Sequence, residues 1–530
     1  MVGDSVTLPQ GSHDWRQQCC KLLSNKDCIA LTFQDHLLTK YFARMSILTS
    51  LLPLVAACVA VGPDYQKPKV ITPKSWNSPA DIKAPVLAEW WKNLNDPVLN
   101  QLVAEGVAGS PDVAIAKAKT RQSRASFTSA GGSLYPSLEG TGNYSRSDNG
   151  LSTVSNQSSF QFNTKWELDL FGGNRRGVEA AYYKVESANE QLRATLVTLI
   201  GDIATNYAQL RGVQAKIAIA QRNSTSQERT VALTRSQLEA GQISQVDLLS
   251  AQTQAATTQS EIPVLRIEYA TYLNKLSVLT GLSTIVLAAS VDRSEPVPNV
   301  PRKVSTGLPA DILFNRPDLR AAERDYANST AAVGQRQAAL YPSVTLIGNI
   351  GTGGTSFGDL ARLSTIGWNF GPTLNIPIFN AGKLNADVEV EKAARDQSFI
   401  AYRKAILTAL SEVENASVAL NQNRLRAAQL QKIVSNSRKI NELTLEQFKA
   451  GNKSFIEVLN AQRDVLSSET SLNQVQTDLV VNYVALQKAL GGGWNGQIDV
   501  SKPEVVDGYT GPHIVQSLVP ASPKISARHP

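Results

Sequence analysis

The long central part of this chain lacks the side chains that enzymes and metal sites use most. Cysteine and histidine occur only near the two ends of the sequence, at Cys19, Cys20, Cys28, Cys58, His13, His36, His513 and His529. Between Cys58 and His513 there is therefore no Ser-His-Asp or Cys-His catalytic group, no zinc site with His or Cys ligands and no redox thiol pair. An all-carboxylate metal site or a lysine-based mechanism remains open.

Other signatures are missing as well. The sequence has no Walker loop and no glycine-rich dinucleotide loop, and we expect no enzymatic activity, no cofactor and no bound metal. No run of about 18 apolar residues occurs, which excludes ordinary transmembrane helices. The net charge of 52 − 45 = +7 is scattered over the 530 residues without forming a basic stripe. We therefore expect no nucleic-acid partner.

The N-terminus has the features of a bacterial lipoprotein signal. Lys40 and Arg44 precede a short apolar stretch that begins at Met45, and this stretch is too short to span a membrane as a helix. It ends in Leu54-Val-Ala-Ala-Cys58, which resembles a lipobox, where cleavage leaves a lipidated cysteine as the first residue. We predict that Cys58 is this residue. The alternatives are an ordinary signal peptide with an accidental cysteine and, for the start of translation, Met45.

The body of the chain contains the same pattern twice. Four segments recur in the same order, 206 (316 − 110) to 210 (449 − 239) residues later: Ser110-Pro-Asp-Val as Arg316-Pro-Asp-Leu, Leu134-Tyr-Pro-Ser as Leu340-Tyr-Pro-Ser, Leu170-Phe-Gly-Gly as Ile378-Phe-Asn-Ala-Gly, and Glu239-Ala-Gly as Lys449-Ala-Gly. This order indicates a tandem duplication. The predicted organisation is an N-terminal extension with signal peptide (1–57), a lipid-anchored segment (58–96), a first repeat (97–281), a proline-rich connector (282–316), a second repeat (317–491) and a tail (492–530).

Each repeat contains two segments in which apolar and polar residues alternate. In the first repeat the alternation is strict between positions 160 and 170, and the second repeat has a matching segment around Trp368. A period of two over about ten residues is typical of transmembrane β-strands, with apolar side chains towards lipid and polar ones towards the lumen. A half-buried hairpin of a soluble sheet is the alternative. The predicted lipid-facing aromatic residues are Phe160, Phe162, Trp166, Trp368 and Phe370.

Long helices follow the strands. Between Asn174 and Glu239 there is no proline, and apolar residues recur at heptad spacing, at Leu192, Leu196, Leu199, Ile203, Leu210 and Val213. This spacing predicts a coiled-coil helix about 100 Å long, at roughly 1.5 Å per residue. Shorter helices are predicted over residues 98–130 and 246–280, and end to end they match the long helix in length. The second repeat has the same plan.

These elements predict a mixed α and β fold with four strands per chain. The smallest transmembrane barrels need about eight strands, and open strand edges cannot face lipid. We therefore predict that several chains share one transmembrane β-barrel, which a long coiled-coil helical barrel continues into the periplasm. A helical tube that continues a membrane barrel is a conduit.

The chain resembles the TolC-like outer membrane factor family, in the lipoprotein branch that serves resistance-nodulation-division efflux pumps. The resemblance extends roughly from Cys58 to Gly493 and is carried by Cys58, Val61-Gly-Pro-Asp-Tyr-Gln-Lys-Pro, Trp90-Trp91, Asp96-Pro-Val-Leu, the duplicated Tyr-Pro-Ser and the two Ala-Gly turns. It implies a homotrimer with a shared barrel, an equatorial collar formed by the connectors, a periplasmic adaptor protein and an inner-membrane transporter. The function it implies is an outer membrane exit duct that passively conducts small toxic compounds.

The resemblance also assigns roles to residues at the two Ala-Gly turns. It implies a periplasmic aperture at Asp247, Lys453, Glu457 and Asn460, and adaptor-docking tips at Gly241, Gln242, Gly451 and Asn452. Lys453 would lie one helical turn before Glu457 and would reach either that residue or Asp247. The chain departs from the family pattern at Asn460, where many relatives carry aspartate, and at Lys453, where some carry arginine.

Two other functions remain open from the sequence. The same fold also serves as the outer membrane duct of type I protein secretion, although the lipobox and Gly62-Pro-Asp-Tyr favour small-molecule efflux. A non-conducting coiled-coil scaffold of the envelope would explain the heptad spacing but not the alternating strands. The exported compound is not encoded in this chain, because specificity lies largely in the pump.

Overall fold

The computed structural model describes residues 60–70, 73–76, 87–148, 150, 154–307, 309–493 and 499–501. The predicted signal peptide, Cys58 and most of the predicted tail lie outside these ranges. The described strands are β1 (Ser137–Asp148), β2 (Val154–Leu168), β3 (Ser343–Gly354) and β4 (Ile366–Asn375). The described α-helices are α1 (Pro97–Gly109), α2 (Pro111–Gly132), α3 (Gly173–Glu239), α4 (Gln245–Thr280), α5 (Thr284–Val291), α6 (Ile312–Asn315), α7 (Pro317–Ala338), α8 (Lys383–Lys449) and α9 (Phe455–Ala489).

The four strands form one antiparallel sheet in the order β1-β2-β3-β4. In its register Phe162 lies opposite Gly140 on one side and Ile350 on the other, and Ile350 lies opposite Trp368. Because side chains alternate along a strand, the even-numbered residues of all four strands share one face. That face, called here the apolar face, includes Leu138, Tyr144, Phe160, Phe162, Trp166, Leu346, Ile350, Ile366, Trp368, Phe370 and Leu374.

The opposite face of the sheet is mainly polar. It includes Glu139, Thr141, Asn143, Gln161, Asn163, Lys165, Glu167, Thr345, Asn349, Asn369 and Thr373, with Ile347 as an apolar exception. Glycines give the apolar face room for its aromatic rings. A Cβ atom at Gly348 would lie 2.2 Å from Cδ1 of Phe370, so the Phe370 ring occupies the space that a side chain at position 348 would need. The alternation in the sequence therefore becomes one apolar and one polar surface across both repeats.

Two very long helices leave the sheet. Helices α3 and α8 have 67 residues each, which corresponds to about 100 Å at roughly 1.5 Å per residue. Both follow a glycine with positive φ, Gly172 and Gly382, in the short connections after β2 and β4. Helix α3 packs against α4, and α8 packs against α9, so each repeat forms one long hairpin beyond the sheet.

The predicted single helix over 98–130 is wrong, because the chain breaks between α1 and α2. Ser110 has extended backbone angles, and the next residue is Pro111, which disfavours a helical conformation in the residue before it. The second repeat breaks in the same way at Arg316, before Pro317. In both repeats the proline then becomes the first residue of a new helix, a position where its missing N–H is tolerated.

The largest apolar core surrounds the middle of the long helices, at the level of the connector. Its fully buried residues include Leu210 and Tyr207 of α3, and Trp90 packs edge-to-face on Tyr483 with ring centroids 5.8 Å apart.

The connector contains helix α5, whereas its prolines predicted an extended segment. No single described helix is long and apolar enough to cross a membrane, although α4 and α5, bent by 114°, pass that test together on length and composition.

Candidate functional site

The two hairpin turns at the ends of the long helices have the same backbone geometry. In the first turn, Gly241 has φ +72° and Gln242 N–H donates to the carbonyl of Gln237 at 2.9 Å. In the second, Gly451 has φ +77° and Asn452 N–H donates to the carbonyl of Gln447, also at 2.9 Å. This pattern ends a helix with a glycine in the left-handed region. The four predicted docking residues are therefore exposed at matching positions of two equivalent turns.

Two of the predicted aperture acids begin the helices that follow these turns. Asp247 accepts hydrogen bonds from Ser244 N–H at 3.0 Å and from Ser244 Oγ at 2.7 Å. Glu457 accepts from Ser454 N–H at 3.0 Å and from Ser454 Oγ at 3.1 Å. Each serine caps its helix, and each acid completes a reciprocal capping box. The acids thus have a local structural role as well as the predicted one.

Lys453 pairs with Glu457 of its own chain. It lies in the turn, one residue before the helix cap Ser454, at the predicted spacing of four residues from Glu457. The Lys453 ammonium, followed by the Ser454 backbone N–H, lowers the pKa of Glu457 below its usual value. Asp247 bonds to Ser244 and not to Lys453. Asn460 is exposed one turn further along α9. The structure therefore brings together one of the two predicted charge pairs, and the aperture role of all four residues stays a prediction.

The two hairpins pack against each other behind the turns. A small apolar cluster joins Phe448 and Phe455, whose ring centroids are 5.6 Å apart, to Ala251 of the first hairpin. Polar contacts extend the junction, because Gln462 Nε2 donates to Thr230 Oγ1 at 2.8 Å in a buried position. The sequence marks the position of Gln462 by the repeated Ala-Gln after each turn, but it does not indicate this contact.

Further from the turns, Glu469 of α9 connects three helices. Its carboxylate accepts from Arg438 Nε at 2.8 Å and from Arg438 Nη2 at 2.5 Å. Arg222 of α3 lies 3.8 Å away, and Asn223 Nδ2 donates at 3.4 Å. Glu469 itself is buried. The sequence does not indicate this group, because single charges on a long helix are usually solvated and nothing in their spacing marks them.

The predicted lipid-facing aromatic residues all lie on the apolar face. Trp368 is 71% exposed, and Phe160, Phe162, Trp166 and Phe370 are exposed as well. The Trp166 indole N–H donates to the carbonyl of Leu134 at 3.1 Å, at the end of the sheet where the helices attach. Large aromatic side chains rarely stand together on a surface that faces water. Contact with lipid stays a prediction for these residues.

The segment Val61-Gly-Pro-Asp-Tyr, part of the family resemblance, is fixed onto the long helices. Arg176 at the start of α3 is buried and donates to the carbonyls of Val61 and Gly62 at 3.2 Å and to Asp64 at 2.6 Å. Tyr65 OH donates to Glu323 of α7 at 2.6 Å. Burial, followed by the hydrogen bond to Glu323, raises the pKa of Tyr65. The chain after the predicted lipid anchor is therefore attached to both repeats.

The described residues contain no group of three or more His, Cys, Asp or Glu side chains that could hold a metal ion. One cavity there has a volume of about 610 Å³ and lies in a groove between α2, α3 and α7. Asp112 and Asp318, which occupy equivalent positions in the two repeats, both line it. The groove is open and charged, unlike the enclosed apolar pockets of most small-molecule sites.

Comparison with known proteins decides the family. The profile described as "Outer membrane efflux protein" matches residues 102–282 and 308–492. The chain belongs to the outer membrane efflux protein family. It is 32% identical over 453 residues to Nodulation protein T of Rhizobium leguminosarum bv. viciae, covering 84% of this chain and 93% of that protein. It is 30% identical to the solvent efflux pump outer membrane protein SrpC of Pseudomonas putida, covering 84% and 98%.

Solved structures agree with this assignment. The outer-membrane channel OprN is 29% identical, with a TM-score of 0.74 over 82% of this chain and 99% of that one. CusC is 26% identical, with a TM-score of 0.70 over 82% and 100%. The predicted family and fold class are therefore confirmed. Family membership indicates an efflux duct of the outer membrane with a periplasmic helical domain, and these relatives are channel proteins and not enzymes.

Proposed function

We propose that this protein is the trimeric exit duct of a tripartite efflux pump and passively conducts small toxic compounds to the exterior. The observation that carries the proposal is the sheet with one apolar and one polar face, continued directly by helices of 67 residues. An apolar outside and a polar inside are what a water-filled barrel in lipid requires. The helices are long enough to extend such a duct by about 100 Å.

The edges of the sheet support association of several chains, and the family resemblance implies three. Strands β1 and β4 are its two edges within the described chain, and their backbone N–H and C=O groups need partners inside a membrane. Pairing β4 of one chain with β1 of the next closes a barrel of three times four strands. This exceeds the minimum of about eight strands.

The hairpin turns are the proposed contact with the periplasmic adaptor protein, through which the duct meets an inner-membrane transporter. Gly241, Gln242, Gly451 and Asn452 are exposed at the far ends of both hairpins. The duplicated geometry supports this assignment, because two equivalent turns per chain offer a regular ring of similar docking positions. The neighbouring Lys453 and Glu457 are the proposed aperture, with Asp247 and Asn460 beside them.

Lipid anchoring at Cys58 fits the path of the chain. Ala60, two residues later, lies against Gly172, where α3 begins next to the sheet, so the described chain begins beside the strands of the proposed barrel. Radiolabelled palmitate is expected on the wild-type protein and not on Cys58→Ser. Label that persists in the variant would contradict the anchor without contradicting the duct.

The duct itself is tested by inserting the purified protein into planar bilayers. We expect discrete conductance steps from the wild-type trimer, and restored resistance to small toxic compounds when the gene complements a strain that lacks its own duct. The names of relatives, which include solvent and cation efflux proteins, support small compounds as cargo. A stable soluble monomer without channel activity would overturn the proposal, and export of a protein without small-molecule resistance would point to secretion instead.

A further inference from the structure

The segment between β3 and β4 folds back onto the apolar face of the sheet, at the end furthest from the helices. Gly354 lies opposite Ser158 on that face, and a Cβ atom at Gly354 would be 2.3 Å from Cβ of Asp359. Ser158 is almost completely buried as a result. The Tyr144 ring, also on the apolar face, stacks on Phe357 with centroids 5.2 Å apart. The segment therefore covers the outside of the sheet and not its polar inside.

The position of this segment is fixed by hydrogen bonds. Asp359 accepts from Ser356 N–H at 3.0 Å and completes a capping box with Ser356, and its backbone carbonyl accepts from Thr365 Oγ1 at 2.7 Å. Thr365 Oγ1 also lies 2.7 Å from Oγ1 of Thr352 on the apolar face of β3. Since the segment continues from β3 and its far end returns to Thr352 of that strand, its exposed side chains are held in one place.

Those exposed side chains are apolar. Leu363 is 87% exposed and Phe357 is 67% exposed, and both belong to short 3₁₀ segments. Arg362, next to Leu363, forms an ion pair with Asp359 at 3.1 Å and is still mostly exposed. Apolar groups beside a cation are typical of elements that lie at the boundary between acyl chains and headgroups.

The distance of the segment from the helix end of the sheet agrees with a position at the boundary between acyl chains and headgroups. Trp166, at the helix end of β2, and Ser158, beneath the segment, are eight positions apart (166 − 158). At ~3.3 Å per residue this is ~26 Å along the strand, or ~20 Å along the axis of a barrel whose strands tilt by ~40°. Outer membrane barrels carry an apolar band of about 25 Å between two aromatic girdles. Tyr144 and Phe357 thus lie where the outer girdle is expected.

We propose that residues 356–365 form an interfacial anchor that inserts Phe357 and Leu363 among the acyl chains of the outer leaflet. The proposal rests on the proposed barrel, because the apolar face must be the lipid-facing one. Its occupant is lipid, since the exposed Phe357 and Leu363 extend the apolar face outward, and the exposed Arg362 beside them suits contact with headgroups. Each trimer would then hold the membrane at three points around its outer rim.

Site-directed spin labelling tests the anchor in the intact protein reconstituted in lipid vesicles. A nitroxide is attached to Leu363→Cys and, separately, to Phe357→Cys, and its collisions with oxygen, which enters lipid, are compared with collisions with a water-soluble nickel chelate. Two matched positions on β4 serve as references: Trp368→Cys on the apolar face and Asn369→Cys on the polar face. The chain without an added cysteine gives the background.

We expect the labels at 363 and 357 to resemble the label at 368, with collisions shifted towards oxygen, while the label at 369 favours the nickel chelate. If 363 and 357 behave like 369 while 368 reports lipid, the anchor is wrong and the barrel stands. If 368 itself reports water, the proposed barrel fails, and the anchor fails with it. Agreement of only one of the two labels with 368 would also overturn the two-residue anchor.

Discussion

The two halves of the long helices differ in what they bury. Around the connector, the interior is apolar and includes Leu210 and Ile203. Towards the hairpin turns, most buried side chains are polar: Gln227, Thr230, Thr234, Gln254, Thr258, Gln462, Ser468, Glu469, Asn473 and Thr477. The apolar residues buried there are the small cluster around Phe448 and Phe455 and, among others, Val434, Val465 and Val475. The same pair of helices therefore has a hydrophobic equator and a polar tip half.

This difference indicates where the duct can change shape. Burying a large apolar side chain stabilises a fold by about 1.5–3 kcal/mol, and that contribution is lost whenever the contact opens. A buried hydrogen bond contributes only about 0.5–1.5 kcal/mol net, because water can replace either partner. We infer that the equator fixes the assembly and that the tip half exchanges its contacts during opening.

Removing an equatorial side chain should have the largest effect. Leu210 is fully buried in the main cluster, and Leu210→Ala is expected to lower the free energy of unfolding by about 2–5 kcal/mol, since the surrounding helices cannot close the cavity. Guanidinium unfolding of the detergent-solubilised protein measures this. Leu210→Met, which conserves volume, should cost less than about 1.5 kcal/mol. Equal effects of the two variants would contradict a tightly packed equator.

A polar substitution in the tip half should cost less and act locally. Thr230→Val removes the acceptor of Gln462 Nε2 and leaves a buried amide unpaired, which costs about 1–3 kcal/mol. We expect faster hydrogen exchange in the tip half of α3 and α9, with the equator unchanged. Thr225→Val, at an exposed position of the same helix, is the control and should change stability by less than about 0.5 kcal/mol. A loss of protection throughout the protein would contradict the division into two halves.

The sequence predicts the apolar equator of this division but not the polar contacts of the tip half. The heptad spacing predicted the buried equatorial residues Leu196 and Ile203, because apolar periodicity directly reports a packed face. The strand alternation predicted the apolar face for the same reason. The polar tip contacts could not be predicted, because whether Glu469 meets Arg438 and Arg222 depends on how three helices from two repeats are placed together.

The candidate site, too, could be predicted from the sequence only in part. The turn glycines Gly241 and Gly451 were found because a positive φ leaves a clear mark in the sequence. Helix α5 was missed because the prolines after it favoured an extended connector. The pairing of Lys453 with Glu457 is among the predicted contacts, but the cap at Ser454, which holds the carboxylate in place, is not. A capping box is a short signal, easily overlooked next to a family pattern.

A substitution at the turn should change the conductance of the channel more than its stability. Lys453→Ala removes the partner of Glu457 without opening any buried contact, so the trimer should assemble normally. We expect higher single-channel conductance in planar bilayers, because the three turns lose the ion pair that holds each of them in one conformation. Lys449→Ala, an exposed lysine at the end of α8, is the matched control. Identical conductance of both variants would place the constriction elsewhere.

The smallest expected effect is the pH dependence of the same turn. The pKa of Glu457 is lowered by Lys453 and by the Ser454 N–H, so the ionised cap stabilises the turn above the ordinary glutamate pKa. That stabilisation is lost as the pH falls through the lowered pKa, in the acidic range below about pH 4.5. We expect conductance to rise on acidification through this range, and Glu457→Gln to remove that step because its side chain does not titrate. Glu446→Gln, on the exposed side of α8, should keep it. If Glu457→Gln still shows the full step, another acid controls the opening, and the polar tip half changes its packing for a reason that lies outside the capping box.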